Sequence, residues 1–291
     1  MPTLRDIKRR IRAVNNTRQI TKAMKMVAAS KLRKSQTRML EMRPYADKMH
    51  SVLNNLSRQA ESGLHPLLVA RARKVVEVIV MTSDRGLCGA FNSNILKASV
   101  ALISEMRKED FEISISAVGK KASDFFRRRS IPLRATWTGM SGRISYSNAQ
   151  DVAADVMENY INETIDEVVL IYNEFRSVIS QQVKVVKLLP LESVEGEGDT
   201  EGSLDFLHEP SQEEIFNVLL PKNLEIQIFR ALLESQASEE AARMTAMENA
   251  TKNANEMIDS LTLQYNKARQ ASITKELMDI VGGTEALAKS G

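Results

Sequence analysis

The segment Met244-Thr245-Ala246-Met247-Glu248-Asn249-Ala250-Thr251-Lys252-Asn253-Ala254-Asn255-Glu256-Met257-Ile258-Asp259-Ser260-Leu261-Thr262-Leu263-Gln264-Tyr265-Asn266-Lys267-Ala268 decides the fold. Met244, Met247, Thr251, Ala254, Ile258, Leu261, Tyr265 and Ala268 recur at alternating steps of three and four, the seam of a coiled coil. Ala237 and Ala241 extend that seam upstream. No Gly or Pro interrupts Leu224 to Val281, so a helix of roughly 87 Å is expected, with Gly282-Gly283 as its stop. The seam side chains are small. They let two backbones approach closely but bury little apolar area, and at about 25 cal/mol per Å² they hold more weakly than Leu and Ile. A thin rod of this kind needs something to enclose or steady it, which points to a component of an assembly.

The partner helix is at the other end of the chain. Residues 3–58 contain no Gly and one Pro. Leu4, Ile7, Ile11 and Val14 form an apolar seam, the polar run Asn15-Asn16-Thr17-Arg18-Gln19 follows, and apolar residues resume at Ile20, Met24, Val27 and Ala28. That pattern predicts a stutter in the heptad, and Pro44 predicts a bend. At 1.5 Å per residue this helix spans roughly 84 Å, too long for burial in a compact domain.

Between the ends the period changes. Val75-Val76-Glu77-Val78-Ile79-Val80-Met81 reads as a buried strand. Helices are expected at about 93–108, 119–129 and 150–163, and strands at 113–117, 168–172 and 183–188. Alternating strands and helices imply a mostly parallel sheet, with the last two strands forming an antiparallel edge pair. The predicted fold is therefore α/β plus a long antiparallel α-helical coiled coil formed by the N- and C-terminal helices. Expected boundaries are 1–60 for the first coiled-coil helix, 61–74 for a linker, 75–191 for a Rossmann-like α/β domain, 192–210 for an acidic loop and 211–291 for the second coiled-coil helix. Ser211 and Glu214 have capping-box spacing at the start of that helix.

Composition narrows the function. The 291 residues carry a net charge of +3, yet residues 1–74 hold 18 Lys/Arg against 4 Asp/Glu. Nine acidic residues and no basic one lie between Glu192 and Glu214. The N-terminal quarter suits an anionic partner; nucleic acid, an acidic protein surface, an anionic lipid face and plain solvation of a helix all fit the charge alone. No apolar run is long enough to span a membrane, and no secretory or organellar leader is evident, so a cytosolic, bacterial-type chain is expected. The single cysteine, Cys88, excludes an internal disulfide framework, and His50, His65 and His208 show no metal-ligand spacing.

The turn Thr82-Ser83-Asp84-Arg85-Gly86-Leu87-Cys88-Gly89-Ala90-Phe91-Asn92 follows a strand and opens a helix, the place of a phosphate-binding loop. Its glycines are spaced G-x-x-G, and no G-K-[ST] follows, so it reads as a tight packing turn rather than a nucleotide site. No histidine neighbours Cys88, which reads as a structural thiol. Glu239-Glu240 sit on adjacent helical positions and do not converge, and the acidic loop lacks the order of a calcium loop. No catalytic residue, cofactor or metal is expected.

Three blocks together carry a resemblance: Arg10 to Leu32, the Ser83 to Asn92 turn, and Glu234-Ser235-Gln236-Ala237-Ser238-Glu239-Glu240-Ala241-Ala242-Arg243-Met244 continued through Tyr265 to Glu276 and Ile280-Val281-Gly282-Gly283. Over essentially its whole length the chain resembles the gamma subunits of F-type ATP synthases. The resemblance implies a non-catalytic central-stalk rotor in a sleeve of three alpha and three beta subunits. It also implies contacts with epsilon and the ring of c subunits, and membrane association only through the complex at the cytoplasmic face of a bacterial inner membrane. Lys22, Lys25, Lys31, Arg33 and Lys34 would lie near an acidic lever segment of beta. By the same resemblance Arg269 and Gln270 match a pair that contacts a beta catch loop. Thr274 and Glu276 match coupling positions, Met24 and Arg243 match lower-shaft positions facing the lever, and Cys88 lies in the turn beside it. Leu207, His208 and Glu209 match the epsilon and ring contact. A plain seam role explains Met24 equally well. The regulatory dithiol of the chloroplast form has no counterpart here. A basic coiled coil that binds nucleic acid, and a nucleotide-binding enzyme built on residues 75–190, are the other two classes. Salt-dependent DNA binding and nucleotide titration discriminate them.

Overall fold

Consecutive Val and Ile with no polar alternation make β1 (Val75–Met81) a strand covered on both faces, and from Val76 onward every residue of it is buried. A computed structural model of the chain describes residues 3–59, 65–140, 142, 144–191 and 212–289. In chain order the elements are α1 (Leu4–Gln59), β1, α2 (Phe91–Lys108), β2 (Glu112–Val118), α3 (Lys120–Arg127), β3 (Thr136–Trp137), α4 (Tyr146–Ile161), β4 (Glu167–Phe175), β5 (Gln181–Leu189) and α5 (Gln212–Lys289). Strand order is β3-β2-β1-β4-β5. β1 runs parallel to β2 and β4, β2 parallel to β3, and β5 closes the edge antiparallel to β4. The expected parallel sheet with one antiparallel edge pair is present. The two-residue β3 carries no sequence signal of its own.

The chain forms two units, Ala28–Arg243 and Met1–Val27 with Met244–Gly291. In the first, the sheet separates two apolar layers. Val76, Val78 and Val80 pack with Ile95 of α2 and Phe126 of α3. Ile79 and Met81 pack with Val152, Val156 and Tyr160 of α4 and with Phe216, Leu224, Ile228 and Leu232 of α5. Glu77, fully buried on β1, accepts from Ser116 Oγ at 2.5 Å and from Arg134, which also pairs with Asp155 at 2.6 Å. α4 starts four residues before its expected position. The Ser145 N–H donates to Asn148 Oδ1 at 2.9 Å, a capping arrangement with Asn in place of the usual Glu or Gln.

In the second unit α1 and α5 run antiparallel. Arg18 Nη1 donates to Asn255 Oδ1 at 3.2 Å, the Thr21 and Thr251 hydroxyls meet at 2.8 Å, and Lys25 Nζ donates to Glu248 at 2.6 Å. The α5 seam is the expected one: Met247 and Ala254 are buried, Thr251, Ile258, Leu261, Tyr265 and Ala268 half-buried, and their neighbours Met257 and Leu263 exposed.

The α1 seam differs from expectation. No stutter occurs: Leu4, Ile7, Ile11, Val14, Arg18, Thr21 and Lys25 keep the alternating step and are all buried or half-buried. Ile20 and Val27, expected in the seam, are 60% and 57% exposed. Polar residues hold the seam because each finds a partner across it, and this frees apolar residues to face outward. α1 runs through Pro44 to Gln59, close to the expected 3–58, and the further difference is at the other helix: α5 continues through Gly282-Gly283 to Lys289. Gly282 does not take the positive φ of a C-cap, so it weakens the helix without ending it. The expected acidic loop 192–210 and the Ser211 cap lie outside the described residues.

Candidate functional site

The residues singled out in the sequence fall into three groups. The first lines the polar part of the coiled-coil seam. Arg18, Gln19, Lys22, Lys25, Met26, Glu248, Thr251, Lys252 and Asn255 border an open groove of about 830 Å³. Four cations face one carboxylate there, so the groove is cationic and suits an acidic surface. Met24 is half-buried beside it, at the edge of the seam.

The second group lies further along α5. Arg269, Gln270, Thr274 and Glu276 are all exposed, and Ser272 Oγ donates to Glu276 at 3.4 Å. The register defined by the Arg18, Thr21 and Lys25 pairs sets Leu4 beside Ala268, so α5 runs on past the described start of α1 as a single helix. Ile273, Leu277, Met278, Ile280 and Val281 are each at least half exposed on that stretch. A helix carrying so many exposed large apolar residues is a contact surface.

The third group is in the α/β unit. Cys88 is buried in the turn between β1 and α2, where Asn92 Nδ2 lies 3.2 Å from its Sγ, and burial pushes the thiol above its ordinary value. Arg243 is buried as well, at 2.7 Å from Glu239 and 3.0 Å from Glu240, and its Nη2 reaches the Gly86 carbonyl at 3.4 Å. Burial works against its charge, but the Glu239 and Glu240 carboxylates outweigh that and raise its pKa. The structure thus brings Cys88 and Arg243 together on one turn. Both are enclosed. Leu207, His208 and Glu209 lie outside the described residues.

The β1–α2 turn is tied to its surroundings: Ser83 N–H donates to Asn92 Oδ1, and the start of α3 binds it through Lys120 N–H to Asp84 Oδ1, Lys121 N–H to the Ser83 carbonyl and Ala122 N–H to Thr82 Oγ1. Gly119, at φ 90°, brings β2 so close to Thr82 that a Cβ would lie 2.1 Å from the Thr82 oxygen. α5 packs on this end of the sheet, where a dinucleotide fold takes its ligand, through Ser238, whose Oγ donates to the Asn173 carbonyl at 3.0 Å. Sequence reasoning missed the burial of Glu234, Gln236, Glu239 and Glu240. The interleaved small residues Ala237, Ser238, Ala241 and Ala242 were the available signal.

Long helices from both chain ends pairing antiparallel, with an α/β domain between them in sequence, define a stalk-type coiled-coil subunit. The family model described as ATP synthase matches residues 3–287. The ATP synthase gamma chain of Anaeromyxobacter sp. (strain Fw109-5) is 49% identical over 290 residues, covering 99% of this chain and 100% of that protein. The gamma chain of Syntrophus aciditrophicus is 49% identical over 291 residues, with the same coverage. Among solved structures, the central stalk and c-ring of the Tetrahymena thermophila mitochondrial ATP synthase contains a chain that is 29% identical, with TM-score 0.59, over 79% of this chain and 99% of that one. A chain of the Euglena gracilis mitochondrial ATP synthase shares the fold at TM-score 0.66 and 24% identity, over 98% and 94%. The chain belongs to the ATP synthase gamma-chain family. No helix among the described residues is long and apolar enough to cross a membrane.

Proposed function

We propose that this chain is the central rotor of a proton-translocating F-type ATP synthase, turning inside three alpha and three beta subunits and joined to epsilon and the c-ring. Rotation of an asymmetric shaft would drive the three beta catalytic sites through their conformations in turn, and the chain itself would do no covalent chemistry. It would sit peripherally at the cytoplasmic face of a bacterial inner membrane, held there only by the complex.

The observation that carries this reading is the end-to-end match with gamma chains near 50% identity. The antiparallel shaft and its exposed α5 extension support it. Arg269 and Gln270 are assigned to the beta catch contact, Thr274 and Glu276 to coupling, and Met24 with the cationic groove to the acidic lever of beta. Leu207, His208 and Glu209 are assigned to epsilon and the ring. Arg243 and Cys88 would act from inside the α/β unit, by holding the turn that they share.

Co-expression with alpha and beta tests this: a complex with three alpha, three beta and one copy of this chain is expected. Recovery of the chain only outside such a complex overturns the reading. Arg269→Ala or Gln270→Ala should lower coupled turnover more than assembly, and normal turnover in both variants removes the catch assignment.

A further inference from the structure

Every residue of α5 from Ala231 to Arg243 is buried. A helix enclosed on all sides is expected to be apolar all round, yet Glu234, Ser235, Gln236, Ser238, Glu239, Glu240 and Arg243 lie in this stretch. Burying charged groups is costly, and well-packed apolar residues would hold a helix at least as firmly. Apolar contacts, however, are non-directional and specify a helix's rotation about its own axis only weakly. Hydrogen bonds are directional.

The bonds leave α5 on different sides. At 3.6 residues per turn, Glu234 and Ser238 lie within about 40° of one another, Arg243 about 180° from Glu234, and Glu240 about 240° from it. Tyr172 Oη of β4 donates to Glu234 at 3.2 Å, and Ser238 Oγ donates to the carbonyl of the next β4 residue, Asn173, at 3.0 Å. Arg243 holds the Gly86 carbonyl of the β1–α2 turn, and Glu240 meets Lys31 of α1 at 3.5 Å. Glu234 is also held by Arg230 at 2.9 Å.

We propose that this buried polar collar is a torque-bearing joint: the bonds from Tyr172, Asn173 and Gly86 to Glu234, Ser238 and Arg243 fix the rotational setting of α5 against the sheet. Torque applied to the α/β unit then turns the helix without slipping past it. The proposal rests on the rotor reading. Tyr172 and Ser238 are positioning residues, and their effect is greatest when the rotor works against a load.

The test uses the whole complex in inside-out membrane vesicles, measuring proton uptake per ATP hydrolysed as the opposing proton gradient is raised. Tyr172→Phe with Ser238→Ala deletes two hydroxyls and leaves Glu234 paired with Arg230. The expected result is assembly and unloaded hydrolysis within twofold of the parent, with proton uptake per ATP at least threefold lower under the steepest gradient. Tyr160→Phe is the control, because it deletes a buried hydroxyl bonded to the Val69 carbonyl at 2.8 Å in the same unit but away from α5. Its uptake per ATP should match the parent. An unchanged ratio in the double variant overturns the joint, as does an equal loss in the Tyr160→Phe control, which would mark a general effect of a lost buried bond. If the parent complex itself does not pump, the rotor reading fails instead.

Discussion

Two stretches of the long helices put polar residues where a helix packs, and they do so under opposite conditions. In the seam, Arg18, Thr21 and Lys25 meet Asn255, Thr251 and Glu248 one to one, and the Lys25 and Glu248 side chains remain 38% and 57% exposed. In the Ala231–Arg243 stretch the polar side chains are nearly or fully enclosed, and several hold more than one partner. Water can replace a lost partner in the first stretch and cannot in the second. The same residue types should therefore set register cheaply in the seam and rigidly in the collar.

The sharpest way to break this comparison is Arg243→Ala. It removes the guanidinium 2.7 Å from the buried Glu239 carboxylate, whereas Glu240 keeps Lys31. Loss of one partner of a buried pair costs about 3–5 kcal/mol, and urea unfolding of the purified chain should show a fall of that size. A change below about 1 kcal/mol, the range of surface pairs, would mean that the collar is wetter than its burial indicates.

The seam should respond in the other direction. Thr21→Ile together with Thr251→Ile replaces a facing hydroxyl pair by facing aliphatic side chains and should stabilise the chain by about 1–2 kcal/mol. Destabilisation would show that close backbone approach leaves no room there. In the complex, the stiffer register should slow rotation if the polar seam supplies compliance.

Acidification isolates a third kind of enclosed polar group. The His65 Nδ1 accepts the Leu67 N–H at 3.1 Å, and burial lowers its pKa from 6.5. The unfolded chain therefore binds the extra proton first, so the contribution is complete above 6.5 and is lost as the pH falls through the lower folded value. Stability should therefore fall as the pH drops through that window, which a series of urea unfolding midpoints against pH reads directly. His65→Asn should flatten the slope. A slope that survives the substitution would assign the effect to other groups.

Where apolarity and geometry agreed, the fold was legible in the sequence. Val75 to Met81 could only be an enclosed strand, and the α5 heptad from Met244 to Ala268 gave the rod. Where a polar residue was enclosed, or an apolar one exposed, reading by hydropathy failed. Arg18 and Thr21 hid an unbroken seam, Ile20 and Val27 mimicked a shifted one, and none of the charged residues from Glu234 to Glu240 signalled that the run is covered on every side. Of the candidate site, Arg269, Gln270, Thr274 and Glu276 are exposed on α5. Cys88 was legible as a structural thiol, but the enclosure of Arg243 was not, because it depends on α5 meeting the β1–α2 turn across a large sequence separation.

The smallest predicted effect discriminates the two readings of α1 most directly. If the heptad ran through Ile20 and Val27, Ile20→Ser would remove a buried apolar contact and cost about 1.5–3 kcal/mol. With Ile20 on the outer face, 60% exposed, the isolated chain should lose at most about 0.5 kcal/mol, as ordinary surface substitutions do. The assembled complex should tell the opposite story. An exposed Ile20 and Val27 on an otherwise basic helix have no use in the free chain, so Ile20→Ser should weaken assembly with alpha and beta while leaving the free chain's unfolding midpoint in place. A substitution that shifts the midpoint and spares assembly would return Ile20 to the seam and reinstate the stutter.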